Sequence, residues 1–353
     1  MMAEISIVIS VYNVKAEYFR QCMQSVLAQS FEDYEVIIVD DGSTNGVEKL
    51  CDRYADGDRR VQVIHQENRG VSEARNIGTE RAAGKWIIYL DPDDWWENHT
   101  LGRLIRTLKE RDPDVLVFSY YDNYEEDGTQ YARSCWRTPH PLYTEADKKL
   151  MRNMQVGLMD ESRRKLTGYF GSACMQISRL EFIRKNQLKF QSDLRKSEDM
   201  IYDLQLLEKV EKLGILDMAF YHYRHHPASA CNRYTPDIEE IMESTIRALE
   251  GFCAEKDEEY GQALQYFMAK YYVDILRLKY FHKANPNRRG ERLREWRKFL
   301  NRPYGSDKMK HTDIRILYGK RKIMAVFLFI SFKIRSYSIL RAVYKIYYAV
   351  KKE

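Results

Sequence analysis

Two short acidic clusters carry the most evident chemistry in this chain: Asp40-Asp41-Gly42-Ser43 and, about fifty residues on, Asp91-Pro92-Asp93-Asp94. Each closes an apolar run, Val36-Ile37-Ile38-Val39 and Trp86-Ile87-Ile88-Tyr89-Leu90. Three carboxylates within four residues repel one another unless positive charge lies among them. A divalent cation bound through oxygen ligands supplies that charge, and magnesium or manganese typically joins one or two carboxylates to substrate phosphates. Asp91 and Asp93 flank the turn that Pro92 stiffens, so one can hold ribose hydroxyls and the other a metal. Asp40 and Asp41 can accept hydrogen bonds from a base N–H or from a ribose, and Gly42 permits the tight turn. The competing reading of both clusters is structural, since Asp, Ser and Pro also suit solvated turns and helix caps.

Further candidates lie along the chain. Ser10-Val11-Tyr12-Asn13 ends the first apolar run, where a tyrosine ring can lie against a nucleobase. Arg75, in Asn68-Arg69-Gly70-Val71-Ser72-Glu73-Ala74-Arg75-Asn76, can touch a phosphate or orient a carboxylate, or serve a structural ion pair. Glu198-Asp199 opens an amphipathic run behind Ser197, which reads as a helix cap followed by acids suited to the helix dipole. Arg224 and Ser229, in Tyr223-Arg224-His225-His226-Pro227-Ala228-Ser229 after another strand-like run, can hold a diphosphate. His222, His225 and His226 read better as packing or surface residues than as metal ligands.

The elements that must position these residues alternate. Apolar runs at residues 5–9, 34–39, 61–64, 86–90 and 115–121 predict strands. Helix-spaced patterns fall between them, at about 18–27, 47–54, 71–83 and 101–110. Such alternation predicts βαβ units and a mostly parallel sheet, whose ligands sit outside the carboxyl ends of the strands. Residues 130–232 are less regular, with a strand expected over 173–178 and a helix over 198–212. From about Thr235 onward nearly everything reads as helix.

Composition narrows the function classes. The chain has 353 residues, 44% of them hydrophobic and 31% charged, as in a globular protein long enough for one large domain and an appendage. The net charge of +5 is unevenly placed. Basic residues recur from Arg315 onward among Tyr, Phe, Ile and Val, and the only acid in that stretch is Glu353. That suggests an anionic membrane surface and not nucleic acid. The longest apolar stretch, residues 323–332, is too short to span a bilayer. The six cysteines form no C-x-x-C pair and read as reduced thiols. Met1-Met2-Ala3-Glu4 lacks a basic n-region, so no signal peptide is expected. No G-x-G-x-x-G follows the first strand and no G-x-x-x-x-G-K-[ST] occurs, which argues against a dinucleotide oxidoreductase and a P-loop NTPase.

Taken in order, the segments 5–13, 34–43, 68–76, 86–95 and 197–207 resemble the inverting glycosyltransferases of family 2, of the bacterial surface-polysaccharide type. The resemblance is strongest over residues 4–110. It implies a GT-A fold: α/β, Rossmann-like, with a mostly parallel mixed sheet flanked by helices and a C-terminal helical region. The expected domains are a catalytic domain over 1–232 (a nucleotide-binding half to about 120 and an acceptor half from 121) and a helical region over 233–353. A basic amphipathic tail would cover about 320–352. By the same resemblance, Ser10, Tyr12, Asp40, Asp41, Arg75, Asp91, Arg224 and Ser229 contact a nucleotide-sugar, expected by analogy to be UDP-linked. Asp93, with Asp91, matches the D-x-D metal motif for Mn2+ or Mg2+, and Glu198-Asp199 matches the E-D motif whose Asp is the catalytic base. Expected partners are the donor, a glycan or lipid-linked acceptor and an anionic membrane; the expected location is cytoplasmic, peripheral on the inner face of the membrane. Ser10 stands where many members carry Pro. Two rivals are a non-catalytic nucleotide-sugar-binding protein that keeps the cleft, and a nucleotidyltransferase, which would need a Gly-rich basic loop near the first strand.

Overall fold

The computed structural model describes residues 3–134, 142–155, 172–226, 229, 231–254, 264, 267–268, 271–304 and 334–350. The chain divides into two compact units, Met1–Gln155 with Lys165–His226, and Val156–Arg164 with Pro227–Glu353.

The first unit is an α/β structure on one curled sheet. Four strands, β1 (Ile5–Val11), β2 (Tyr34–Asp40), β3 (Val61–His65) and β4 (Trp86–Leu90), run parallel in the order β3-β2-β1-β4. Helices α1 (Ala16–Leu27), α2 (Glu48–Gly57) and α3 (Val71–Arg81) connect them. All five residues of β4 and six of the seven of β1 are buried, because helices cover both faces of the sheet. Each fully buried Ile or Val contributes about 1.5–3 kcal/mol to this core. Helix α3 approaches β1 very closely: a Cβ on Gly78 would lie 2.3 Å from a methyl of Val8. That approach brings Arg75, one turn earlier, to the carboxyl end of the sheet.

Beyond β4 the sheet is mixed. Its further strands are β5 (Trp95–Trp96), β6 (Val115–Tyr124), β7 (Gln130–Arg133), β8 (Gln176–Arg179) and β9 (Leu213–His225). Strands β6 and β9 pair in parallel, while β4–β8, β6–β8, β6–β7 and β5–β9 are antiparallel. Helix α4 (Thr100–Arg111) precedes β6, α5 (Glu145–Gln155) and α6 (Leu180–Lys185) come before and after β8 in the chain, and α7 (Glu198–Lys209) precedes β9. Three local expectations change. Residues Ala173–Met175 form a 3-10 turn, and the strand begins only at Gln176. Strand β9 continues through His225, so Arg224 lies inside a strand and not after one. Ser197 adopts a left-handed backbone (φ 60°) and its side chain does not cap α7.

In the second unit the elements among the described residues are helical. They include Ile238–Cys253, a π-turn at Leu276–Tyr280, Arg289–Leu300 and Tyr337–Val350. Glu239, buried, takes Lys279 Nζ at 2.5 Å and the Tyr280 hydroxyl. Tyr337 and Leu340 are buried, with Phe281 and Trp296 against the Tyr337 ring. Ile339 and Ile346 of the same helix are exposed, as is Lys345. The apolar stretch at 323–332 and the rest of the basic tail lie outside the described residues, as does Cys135. Among the described residues, Cys22, Cys51, Cys174 and Cys231 form no disulfide.

Candidate active site

Strand order reverses around β1, which has β2 on one side and β4 on the other. In open α/β sheets that is the place where ligands bind. Val11 pairs with Asp40 and Ile9 with Leu90, so both acidic clusters leave the sheet at the same edge.

The Asp91-to-Asp94 loop distributes its charges unequally. Asp94 is buried and turned inward, accepting the Tyr221 hydroxyl at 2.5 Å and the Arg224 backbone N–H at 2.7 Å. Burial, then Asp93 and Asp91, push its carboxyl well above the usual range. Asp91 and Asp93 stay about one-third exposed (30% and 31%). Asp91 Oδ1 takes Arg75 Nη2 at 2.9 Å, and Asp93 Oδ2 lies 3.2 Å from His226 Nε2. Each keeps one carboxylate oxygen without a hydrogen bond among the described residues. The repulsion seen in the sequence is thus relieved by burying one acid and pairing the others.

Arg75 is the hinge of the site. Its Nη1 reaches Glu198 Oε1 at 3.2 Å, so one buried guanidinium joins the acidic loop after β4 to the N-terminus of α7. The guanidinium also sits 5.3 Å from the Phe190 ring. Asp199, next to Glu198, takes the Met200 backbone N–H at 2.8 Å. Desolvation and the Glu198 charge push its carboxyl up to about 7, opposed by Arg75. Asp199 is thereby a weaker acid than a solvated aspartate, whose pKa is about 4.

On the β1–β2 side, Tyr12 is half exposed and free to meet a ligand. Ser10 Oγ is buried with no hydrogen-bond partner among the described residues. Asp40 is buried between the Ser43 N–H (3.1 Å) and His65 Nδ1 (2.8 Å). Asp41 is fully committed to the loop leading into α3. Its carboxylate accepts from Gln66 Nε2 (2.6 Å), Arg69 N (2.7 Å), Gly70 N (2.9 Å) and Asn68 Nδ2 (3.1 Å). Gly42 is required beside it: at φ 75° a Cβ would come within 2.9 Å of Asn68 N.

Arg224 is equally committed. It donates to Glu125 Oε1 (2.9 Å), Gln21 Oε1 (2.6 Å) and the Asp93 carbonyl (2.6 Å), and lies between the Tyr18 and Trp95 rings at 4.3 and 4.5 Å. Gln21, Glu125, Tyr18 and Trp95 carry no motif, and the sequence offers no signal for them except Trp95, next to the acidic loop. Ser229 belongs to the second unit, where its hydroxyl accepts from Asn232 Nδ2 at 3.3 Å.

The donor chemistry suits a hard divalent cation only in part. Two half-open carboxylates with free oxygens fit a Mg2+ or Mn2+ that completes its shell with phosphates and water. Among the described residues no group of three or more His, Cys, Asp or Glu could hold a metal by itself.

Residues 6–168 match the model of glycosyl transferase family 2. An uncharacterized glycosyltransferase of Bacillus subtilis (strain 168), EpsJ, is 26% identical over 336 residues, covering 92% of each chain. The Streptococcus pneumoniae glycosyltransferase GlyG is 38% identical over 128 residues, 36% of this chain and 42% of its own. The crystal structure of S. aureus TarS 1-349 in complex with UDP-GlcNAc superposes with a TM-score of 0.64 at 18% identity. It covers 98% of this chain and 92% of TarS 1-349, a likeness of fold.

Proposed function

This chain belongs to glycosyl transferase family 2, and from that premise we propose that it moves one sugar from a UDP-linked donor to a hydroxyl of a glycan or lipid-linked acceptor, inverting the anomeric carbon. The observation that carries this reading is the Asp91–Arg75–Glu198 bridge. It ties the acidic loop after β4 to the helix that bears Asp199.

In this reading the nucleobase lies against the Tyr12 ring, and Ser10 Oγ gains the partner it lacks. Asp199, as the carboxylate, accepts the acceptor's proton while the acceptor oxygen attacks the anomeric carbon. The bond to UDP breaks on the opposite face, so one displacement inverts the centre. Arg75 holds Glu198 beside Asp199 and opposes further rise of its pKa. Arg224 reaches the diphosphate by exchanging Gln21 or Glu125 for phosphate oxygens, a charge-assisted contact. Asp93 and Asp91 would hold Mn2+ or Mg2+ through their free oxygens, and that cation, when bound, offsets charge on the departing diphosphate.

The domain reading follows the same line: donor recognition over the first 120 residues, acceptor contacts over 121–232 and a helical region beyond. No helix of the described residues is long and apolar enough to cross a membrane. The basic tail, with Lys345 and Ile346 outward, supports peripheral attachment to the inner face of the membrane.

The direct test is a panel of UDP-, GDP- and TDP-sugars, read by nucleotide release and thermal shift with Mn2+ or EDTA. Slow release from a UDP-sugar, lost with EDTA and in Asp93→Ala, is expected. Undiminished release in Asp93→Ala would remove the metal role, and silence with every donor would remove the enzyme reading.

A further inference from the structure

His65 closes β3 with a half-exposed ring that has a carboxylate on each nitrogen. Nδ1 lies 2.8 Å from Asp40 Oδ2, and Nε2 lies 2.9 Å from Asp52 Oδ1. An ionised carboxylate only accepts, so both contacts are satisfied only when both nitrogens carry protons. A neutral ring keeps one N–H and turns a bare lone pair toward the other carboxylate.

The consequences run inward. Asp40 Oδ1 accepts the Ser43 N–H at 3.1 Å, and Ser43 Oγ accepts the Asn13 N–H at 3.0 Å. Asn13 Oδ1 in turn accepts the Thr44 N–H at 2.8 Å. Asn13 is held at φ 48°, a left-handed conformation that such bonds maintain. The preceding residue is Tyr12, whose ring is 52% exposed. An unbroken series of hydrogen bonds therefore connects a solvent-facing imidazole to the backbone beneath the exposed ring.

We propose that His65 is a positioning residue for the nucleobase end of the donor site: as an imidazolium clamped between Asp40 and Asp52, it fixes the loop that presents Tyr12. The proposal rests on the nucleotide-sugar reading above, and it makes donor affinity depend on pH through a residue remote from the reacting atoms. The charged groups acting on the ring are Asp40 from β2 and Asp52 from α2, which hold it protonated above the usual histidine range against a smaller desolvation effect. Cys51 of α2 faces the same two carboxylates, but burial pushes its thiol up to about 12, so it stays neutral. The sign follows: the clamp is complete at low pH and fails as pH rises through the imidazolium's pKa.

The test is UDP binding by calorimetry from pH 6.5 to 8.5 at fixed Mg2+, with steady-state kinetics beside it. Wild-type affinity should weaken about two- to tenfold across that range, the worth of one hydrogen bond. In His65→Gln, whose amide keeps an N–H for Asp40 and does not titrate, the slope should vanish. In Asp52→Asn, which removes one of the two charges holding the proton, the midpoint should fall. Both variants should change the donor KM and leave kcat at saturation alone. Titration of UDP's own phosphate is common to all three proteins, so their differences report the ring. If His65→Gln keeps the wild-type slope, or if its kcat falls with its affinity, the assignment is wrong. Should His65→Gln fail to fold, the Asp52→Asn midpoint decides alone, and an unmoved midpoint overturns the proposal. Absence of UDP binding in the wild type would defeat the functional reading and this inference with it; pH-independent binding would defeat only this inference.

Discussion

Asp199 shows how far a residue's identity and its chemical state differ in legibility. The Ser197-Glu198-Asp199 sequence pointed to it, but its protonation is set by burial and by Glu198, which no local pattern displays. With a carboxyl near 7, turnover should climb through pH 7 and level off once the base is ionised. Asp199→Asn should cut kcat by at least about 100-fold, retain UDP affinity and lose that pH dependence; a variant near wild-type rate would assign the base elsewhere. Stability should move the other way. Between about pH 4 and 7 the unfolded chain releases this proton while the folded chain keeps it, so wild-type stability falls through that window. Asp199→Asn should therefore melt higher than wild type at pH 8 and alongside it at pH 4. The ceiling is about 4 kcal/mol, reduced by the water that reaches the half-buried group. Asp94 carries a similar lesson. The acidic cluster in the sequence says nothing of its orientation, whereas Tyr221 and Arg224, more than a hundred residues away, draw it into the interior.

At the scale of elements, the parallel half of the sheet was legible because strands buried on both faces leave uninterrupted apolar runs. Strand β5 was not, being two residues long, nor was the length of β9, whose pattern mixes apolar, charged and aromatic residues. The Ala173–Met175 turn reads as strand because a buried 3-10 segment is equally apolar. For what joins the elements, the sequence offered Arg75 as an ion-pair or carboxylate-orienting residue but named no partners: helix α3 meets the β4 loop and α7 through that side chain. Arg75→Met should lower the urea-unfolding free energy by about 3 kcal/mol, the low end for a broken buried pair because Asp91 remains partly open to water. The same variant should lose turnover. Unchanged stability would mean the bridge forms too weakly to organise the site.

At the scale of the whole molecule, the sequence gives helical periodicity after Thr235 and a basic bias near the end, but little chemistry. Aromatic and apolar residues there are shared between packing and exposure. Tyr337 and Leu340 are buried in the second unit, while Ile339, Lys345 and Ile346 face outward. A pattern of charge and hydrophobicity cannot divide one helix that way. Joint replacement of Lys345 and Ile346 by Ala should weaken sedimentation with phosphatidylserine vesicles at least about fivefold, near 1 kcal/mol for the charge alone. The melting temperature should hold. Equal sedimentation would make this helix a part of the second unit and nothing more. The buried guanidinium between the two acidic motifs also limits how such a chain can diverge. A drift in either motif strands a carboxylate in the other, so mutational histories at residues 91 and 198 should be correlated, and a loop transplanted from a distant relative should work only when the matching helix end travels with it.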